Sequence, residues 1–181
     1  AEAEVEYKDI ISSAVCVNFK ILNTRNLSSY KSMNNELDVF IPIWTTTPWT
    51  LPANRAVALS NKINYVVVNT ENKNLIISKR LVARVMEKSG ISDYEILDDF
   101  KNDDFVDLEL QHPFYDLTVP AISADHVTDE NGTGAVHIAP GHGTDDYLAG
   151  IKNNLEVYNP VDDYGRFIEA LPIFGGMKIR D

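Results

Sequence analysis

"SAVCVNFKI", Ser13 to Ile21, decides the fold class. Val15, Val17, Phe19 and Ile21 recur at every second position, the spacing of a strand with one face against a core. Downstream, "LDVFIPIWTT" (Leu37 to Thr46) reads as a second strand, with Pro42 suggesting an edge or a bulge because proline gives the ladder no N–H. "YVVVN" and "LIIS", separated by "TENKN", form a hairpin candidate. Shorter strands are expected at "YEILDDF", "FVDLEL", "LTVPAIS" and "GAVHIA".

Two segments have helical spacing instead. "KRLVARVMEK" places Leu81, Val82, Val85 and Met86 on one face. "GTDDYLAGIKNN" opens with Thr144 as the expected N-cap and carries Tyr147, Leu148 and Ile151 as an apolar stripe. The long connection "LNTRNLSSYKSMNNE" reads as loop. Strands and helices do not alternate, so a doubly wound sheet is disfavoured. The expected class is mainly β with a few peripheral helices (α+β), folded as a closed or partly closed barrel.

The chain has 181 residues, 44% of them hydrophobic, enough for one domain with a core. It holds a single cysteine, so neither an internal disulfide nor a multi-cysteine metal site is available. Cys16 itself, in an apolar alternation, is expected in the core. No run approaches the roughly 20 apolar residues of a membrane span, and no basic-then-apolar leader is present; a soluble, cytoplasmic protein is expected. The opening "AEAEVEYKD" and the abrupt "GGMKIRD" suggest that residues 1–181 are a single domain excised from something larger. Net charge is −11. Proteins that hold nucleic acid through its phosphates are usually basic, so any nucleic acid met here should be a short end, with most affinity supplied elsewhere.

Chemistry concentrates in two stretches. The first, "WTTTPWTLPAN" (Trp44 to Asn54), packs four threonines between tryptophans and prolines. On an extended strand Thr45 and Thr47 share one face and Thr46 takes the other. Pro48 and Pro52 fix two φ angles around Trp49 and Thr50, giving a stiff turn that can return Thr50 toward Thr47. The plain alternative is a solvated strand edge, where threonine is at home, with Trp49 a lid over the core.

The second, "NGTGAVHIAPGHGTDDY" (Asn131 to Tyr147), brackets His137 with four glycines and sets Asp145 and Asp146 at a helix start. Glycine at that density permits positive φ or close approach of backbone to a ligand. The aspartates also suit the helix dipole, which alone could explain them; being adjacent, they cannot both face one pocket. His137 in "AVHIA" is more commonly a satisfied core histidine than a catalyst, and His142 between glycines is expected to be exposed. A metal-dependent hydrolase on His137, His142, Asp145 and Asp146 is an alternative, although zinc ligands usually show tighter spacing. Neither a G-x-S-x-G elbow, a P-loop nor a dinucleotide fingerprint is present. No cofactor or metal is expected.

Together the two stretches resemble the editing (CP1) domain of isoleucyl-tRNA synthetase, a large insertion in that class I enzyme. "WTTTPWTLPANRAVAL" is similar to the family's threonine-rich motif and "GTGAVHIAPGHGTDD" to its second editing motif, about 80 residues later. "AEAEVEYKD" resembles the entry into the insertion and "VDDYGRF…FGGMKIRD" the exit, so the resemblance covers nearly the whole chain. Residues 61–117 match least distinctly. The sister valyl and leucyl enzymes carry arginine at the position of Thr47 and no Trp-Thr after the proline.

The resemblance implies a hydrolase that removes valine from mischarged tRNA(Ile) while excluding isoleucine, and leaves open valyl-adenylate as an alternative or additional substrate. It implies as partners the 3′ end of that tRNA and the remainder of the parent synthetase, with no ligase activity in this chain and a monomeric isolated domain. It assigns Thr45, Thr46 and Thr47 to the adenosine and the ester, Thr50 to the amino-acid side, and Asn54 to the adenosine or its ribose. Trp49 would wall the side-chain pocket, His137 would narrow it against isoleucine's extra methyl, and Ala139 would complete the substrate-binding residues. Asp146 would anchor the α-ammonium, leaving Asp145 a solvated charge. A non-catalytic module that binds aminoacyl-adenosine is the other alternative.

Overall fold

The computed structural model describes residues 13–24, 27, 33, 36–100 and 107–180. The opening segment 1–9, most of the connection 22–36 and the start of "FVDLEL" lie outside the described residues. Among those described, nine strands join one sheet in the order β6-β4-β5-β2-β1-β7-β8-β3-β9. They are β1 (Val15–Ile21), β2 (Val39–Thr45), β3 (Ala56–Leu59), β4 (Tyr65–Thr70), β5 (Asn74–Ser78), β6 (Tyr94–Phe100), β7 (Glu109–Gln111), β8 (Thr118–Ser123) and β9 (Val136–Ile138). Two helices accompany them, α1 (Val82–Lys88) and α2 (Thr144–Lys152). The class is mainly β, as its alternating sequence indicated. The sheet curls far enough for β9 to approach β2, yet among the described residues β6 and β9 remain its edges and no ladder closes it.

β1 pairs antiparallel with β2, Val15 opposite Thr45 and Phe19 opposite Ile41. Its period-two face enters the main core, where Phe19 and Ile21 join Ile41, Ile43, Leu59 and Leu110. Cys16 is exposed rather than buried. The reason is parity: it stands opposite Trp44 on the sheet's other face, so the alternation that buries its neighbours turns it outward. Pro42 is not on an edge strand, but the β2–β5 ladder covers only Val39 and Phe40, so the proline lies past its end.

The expected hairpin forms between β4 and β5, with Val67 opposite Ile76. One of its faces gives Tyr65, Val67 and Ile76 to the main core. The other packs Val66, Val68, Leu75 and Ile77 against Leu81, Val82, Val85 and Met86 of α1 and the turn before it. Burial on both faces explains why this segment is apolar without alternation.

α2 departs from its sequence pattern. Gly143, not Thr144, is the N-cap, and no side chain caps the helix. The inward face is the small one: Ala149 and Gly150 are buried, and a β-carbon at Gly150 would come within 2.8 Å of Pro140. Tyr147, Leu148 and Ile151 are therefore turned out, 46%, 60% and 54% exposed.

Candidate functional site

The curl of the sheet sets β9 beside β3, with Val57 opposite His137 and Ala56 opposite Ile138. β3 follows directly on the threonine stretch, and Arg55 N–H donates to Ile138 O (2.8 Å). Both motifs thus meet on consecutive hydrogen-bonded backbone.

Thr45 closes β2 and is 7% exposed. Its Oγ1 accepts from Thr47 N–H (3.1 Å) and lies 3.3 Å from Thr47 Oγ1, so these two do share a side. Thr46 is exposed on the other. Pro48 then opens a 3₁₀ turn, Pro48–Ala53, with Pro52 inside it. The turn returns Thr50 so that its hydroxyl donates to Thr47 O (2.9 Å) and stands 3.0 Å from His137 Nε2.

One hydroxyl proton cannot serve both contacts. With it on Thr47 O, Thr50 Oγ1 accepts from His137 Nε2–H, and the imidazole lone pair is at Nδ1. That Nδ1 is enclosed and has no partner among the described residues. Burial, with the fields of His112 and His142 adding to it, pulls the His137 pKa down to about 4. The ring is neutral near pH 7: a shaped, uncharged wall and a weak base.

Asp146 sits in the first turn of α2, and its Oδ2 accepts from Ala139 N–H (2.8 Å), two residues beyond His137. Burial raises its carboxyl pKa, against the lowering by the Ala139 N–H. Asp145, its neighbour, is exposed. The loop between β9 and α2 is shaped by Gly141, where a β-carbon would run into the Tyr158 carbonyl. Here the close approach is to the protein's own backbone rather than to a ligand.

Two expected ligand contacts are placed behind the surface. Asn54 has no exposure; its Nδ2 donates to Ala56 O (2.8 Å) and its Oδ1 has no partner among the described residues. Ala139 is likewise fully buried and reaches the site through its N–H. Trp49 lines an apolar cavity of about 410 Å³ with Val15, Val17, Phe114 and Phe174.

Two histidines enlarge the site beyond its sequence-derived members. His142, expected to be exposed, is half-buried, packs edge-on to Trp49 at 5.2 Å and encloses an Nε2 without a partner among the described residues. His112 lies under the 3₁₀ turn, 1% exposed, with Nε2 3.1 Å from Leu51 O. Nothing in "LQHPFYD" marks it out except the aromatic pair that follows. Among the described residues no group of three His, Cys, Asp or Glu side chains is arranged to hold a metal ion, and no helix is long and apolar enough to cross a membrane.

Comparison with known proteins follows the same outline. Residues 27–167 match the family model described as leucyl-tRNA synthetase, editing domain. The isoleucine–tRNA ligase of Vibrio campbellii is 46% identical over 99% of the chain. That of Coxiella burnetii is 45% identical, also over 99%. The chain spans about a fifth of the length of these curated relatives, 20% in each case. Among solved structures, GlLeuRS-CP1 superposes with a TM-score of 0.70 at 13% identity, covering 93% of this chain and 92% of that one. At that identity the likeness is one of fold.

Proposed function

The chain belongs to the editing-domain family of the class I synthetases for isoleucine and leucine, and on that premise we propose that it hydrolyses the valyl ester of mischarged tRNA(Ile) and rejects isoleucine. Residues 1–181 then form one editing domain of a longer synthetase. In this reading its partners are the single-stranded 3′ end of the tRNA and the rest of that enzyme, and it acts in the cytoplasm as a monomeric unit.

The need for such a site is energetic. A hydrophobic pocket distinguishes side chains differing by one methylene by only about 1–3 kcal/mol, and isoleucine against valine in this enzyme family is the standard instance of that limit. A second, narrower site that admits valine and hydrolyses it multiplies the discrimination. Overfilling a stiff site is costly, about 1–3 kcal/mol, and this turn is stiffened by Pro48 and Pro52.

The observation that carries the reading is the bridge from Thr47 O through Thr50 Oγ1 to His137 Nε2. It joins the two motifs into one wall of hydroxyls and a neutral ring. We assign Thr50 and His137 to the amino-acid side, with His137 opposing the extra methyl; Trp49, whose own apolar cavity includes neither of them, is assigned to the rim of that pocket through its edge-on contact with His142. Thr45, Thr46 and Thr47 are assigned to the adenosine and the ester, Ala139 and Asn54 acting from behind through the backbone they hold. Asp146 keeps one carboxylate oxygen on Ala139 N–H and offers the other to the substrate's α-ammonium.

Water adds to the ester carbonyl, the tetrahedral carbon expels the ribose oxygen, and that oxygen takes up a proton; free amino acid and tRNA leave. A base with a pKa of about 4 removes little of the barrier near pH 7. We therefore assign the acceleration to orientation of the water and to hydrogen-bond donors at the developing oxyanion, each donor contributing roughly 10²–10³ in rate. The net charge of −11 leaves most tRNA affinity to the remainder of the enzyme. The reading is tested by deacylation of Val-tRNA(Ile) and Ile-tRNA(Ile) side by side: release of valine alone supports it, and equal rates or metal-dependent rates contradict it.

A further inference from the structure

We propose that His112 is a positioning residue for this site, holding the Pro48–Ala53 turn, and with it Thr50 and Trp49, from beneath; the inference rests on the hydrolase reading above. Its ring is among the most enclosed side chains, 1% exposed, stacked on Tyr115 at 4.9 Å and edge-on to Phe114 at 4.6 Å. Packing alone would be met by phenylalanine. The polar atoms set histidine apart. Nδ1 accepts from Tyr115 N–H (3.2 Å) and, more distantly, Phe114 N–H (3.4 Å). A nitrogen that accepts carries no proton, so the proton is on Nε2, and Nε2–H donates to Leu51 O at 3.1 Å.

Leu51 O is also the acceptor for Asn54 N–H (3.0 Å), the bond that ends the 3₁₀ turn. The imidazole therefore clamps the loop between β7 and β8 to the turn that carries Thr50, 61 residues away in sequence. Every polar atom of the ring is used within the protein, so it does not touch substrate. It acts through Leu51, one residue from the hydroxyl that meets His137.

Two amides separate the two halves of this clamp. His112→Gln can reach Leu51 O with its Nε2 but gives up the acceptor for the loop. His112→Asn can keep the acceptor near Nδ1 but falls short of Leu51. Both lose ring packing, so both should lower Tm. The positioning role predicts that only His112→Asn moves the His137 Nε2 resonance in ¹⁵N NMR. It also predicts that this variant alone loses about fivefold in preference for a valyl- over an isoleucyl-aminoadenosine analogue, His112→Gln staying within about twofold of the original.

Equal effects in both variants, or none in either, would overturn it. Should the asparagine variant fail to fold, the unsubstituted protein still decides: a His112 proton found on Nδ1 rather than Nε2 overturns the clamp. A native protein with no valyl preference would sink the hydrolase reading, and the His137 resonance would then judge the positioning claim alone.

Discussion

Thr50 Oγ1 lies 3.0 Å from His137 Nε2, across 87 residues of sequence. The contact exists because a proline-stiffened turn runs directly into β3, and β3 pairs with the strand that carries His137. Specificity in the proposed reaction depends on that wall keeping its position.

Removing the imidazole should open the wall without removing the chemistry. His137→Ala is expected to let Ile-tRNA(Ile) be deacylated at a rate approaching that for valine, measured as release of labelled isoleucine. If the variant instead loses all hydrolysis while still refusing isoleucine, His137 is a catalytic group and its steric role is wrong.

Asp146 has two roles that substitution can separate. Asp146→Asn keeps an oxygen for Ala139 N–H but removes the charge, whereas Asp146→Ala removes both. Hydrogen bonds to charged groups contribute about 1.5–3 kcal/mol, so either variant should weaken the valyl analogue roughly 10- to 150-fold. Only the alanine should also lower Tm. Unchanged affinity in the asparagine variant would show that the ammonium is held elsewhere.

Gly141 tests the loop that places Asp146. A methyl there must displace the Tyr158 carbonyl, an overpacking that typically costs about 1–3 kcal/mol. Gly141→Ala should lower Tm and weaken the valyl analogue together, whereas a stable variant would mean that the 141–158 contact yields easily.

Acid should destabilise the fold through its histidines. His112, His137 and His142 are each held below their ordinary pKa of 6.5 mainly by burial, His137 at about 4. Between about pH 4 and 6.5 the unfolded chain therefore binds more protons than the folded one, and stability falls as pH falls through that window. His137 alone accounts for a loss on the order of 3 kcal/mol. Asp146, whose pKa is raised, acts oppositely just above pH 3.8. Denaturant melts from pH 7 to pH 4 should show the decline, and His137→Phe should make it shallower, leaving the part due to His112 and His142. A flat profile for the native chain contradicts the burial of these rings.

Much of this was legible in the sequence, for identifiable reasons. β1, the β4–β5 hairpin and α1 obey local rules of period and turn, so Val15 to Ile21 and Leu81 to Met86 could be placed without tertiary information. The threonine turn was legible because two prolines fix its φ angles. Where placement depends on distant packing, reading failed. The Tyr147–Leu148–Ile151 stripe has helical spacing but faces solvent, because Gly150 lets α2 sit on Pro140 with its small face. Cys16 has apolar neighbours but the opposite parity. His112 gave no signal because its partner, Leu51 O, is a backbone atom on another element. Asn54 was matched to a ligand by motif, whereas its amide is spent on Ala56 O behind the turn.

The most direct test is a titration of the native chain with non-hydrolysable valyl- and isoleucyl-aminoadenosine analogues, followed by calorimetry. A narrow site with a fixed ammonium anchor predicts that the valyl analogue binds more tightly by roughly tenfold or more, the equivalent of about 1.4 kcal/mol. Equal affinity for the two would contradict it, leaving a site that holds aminoacyl-adenosine and selects nothing.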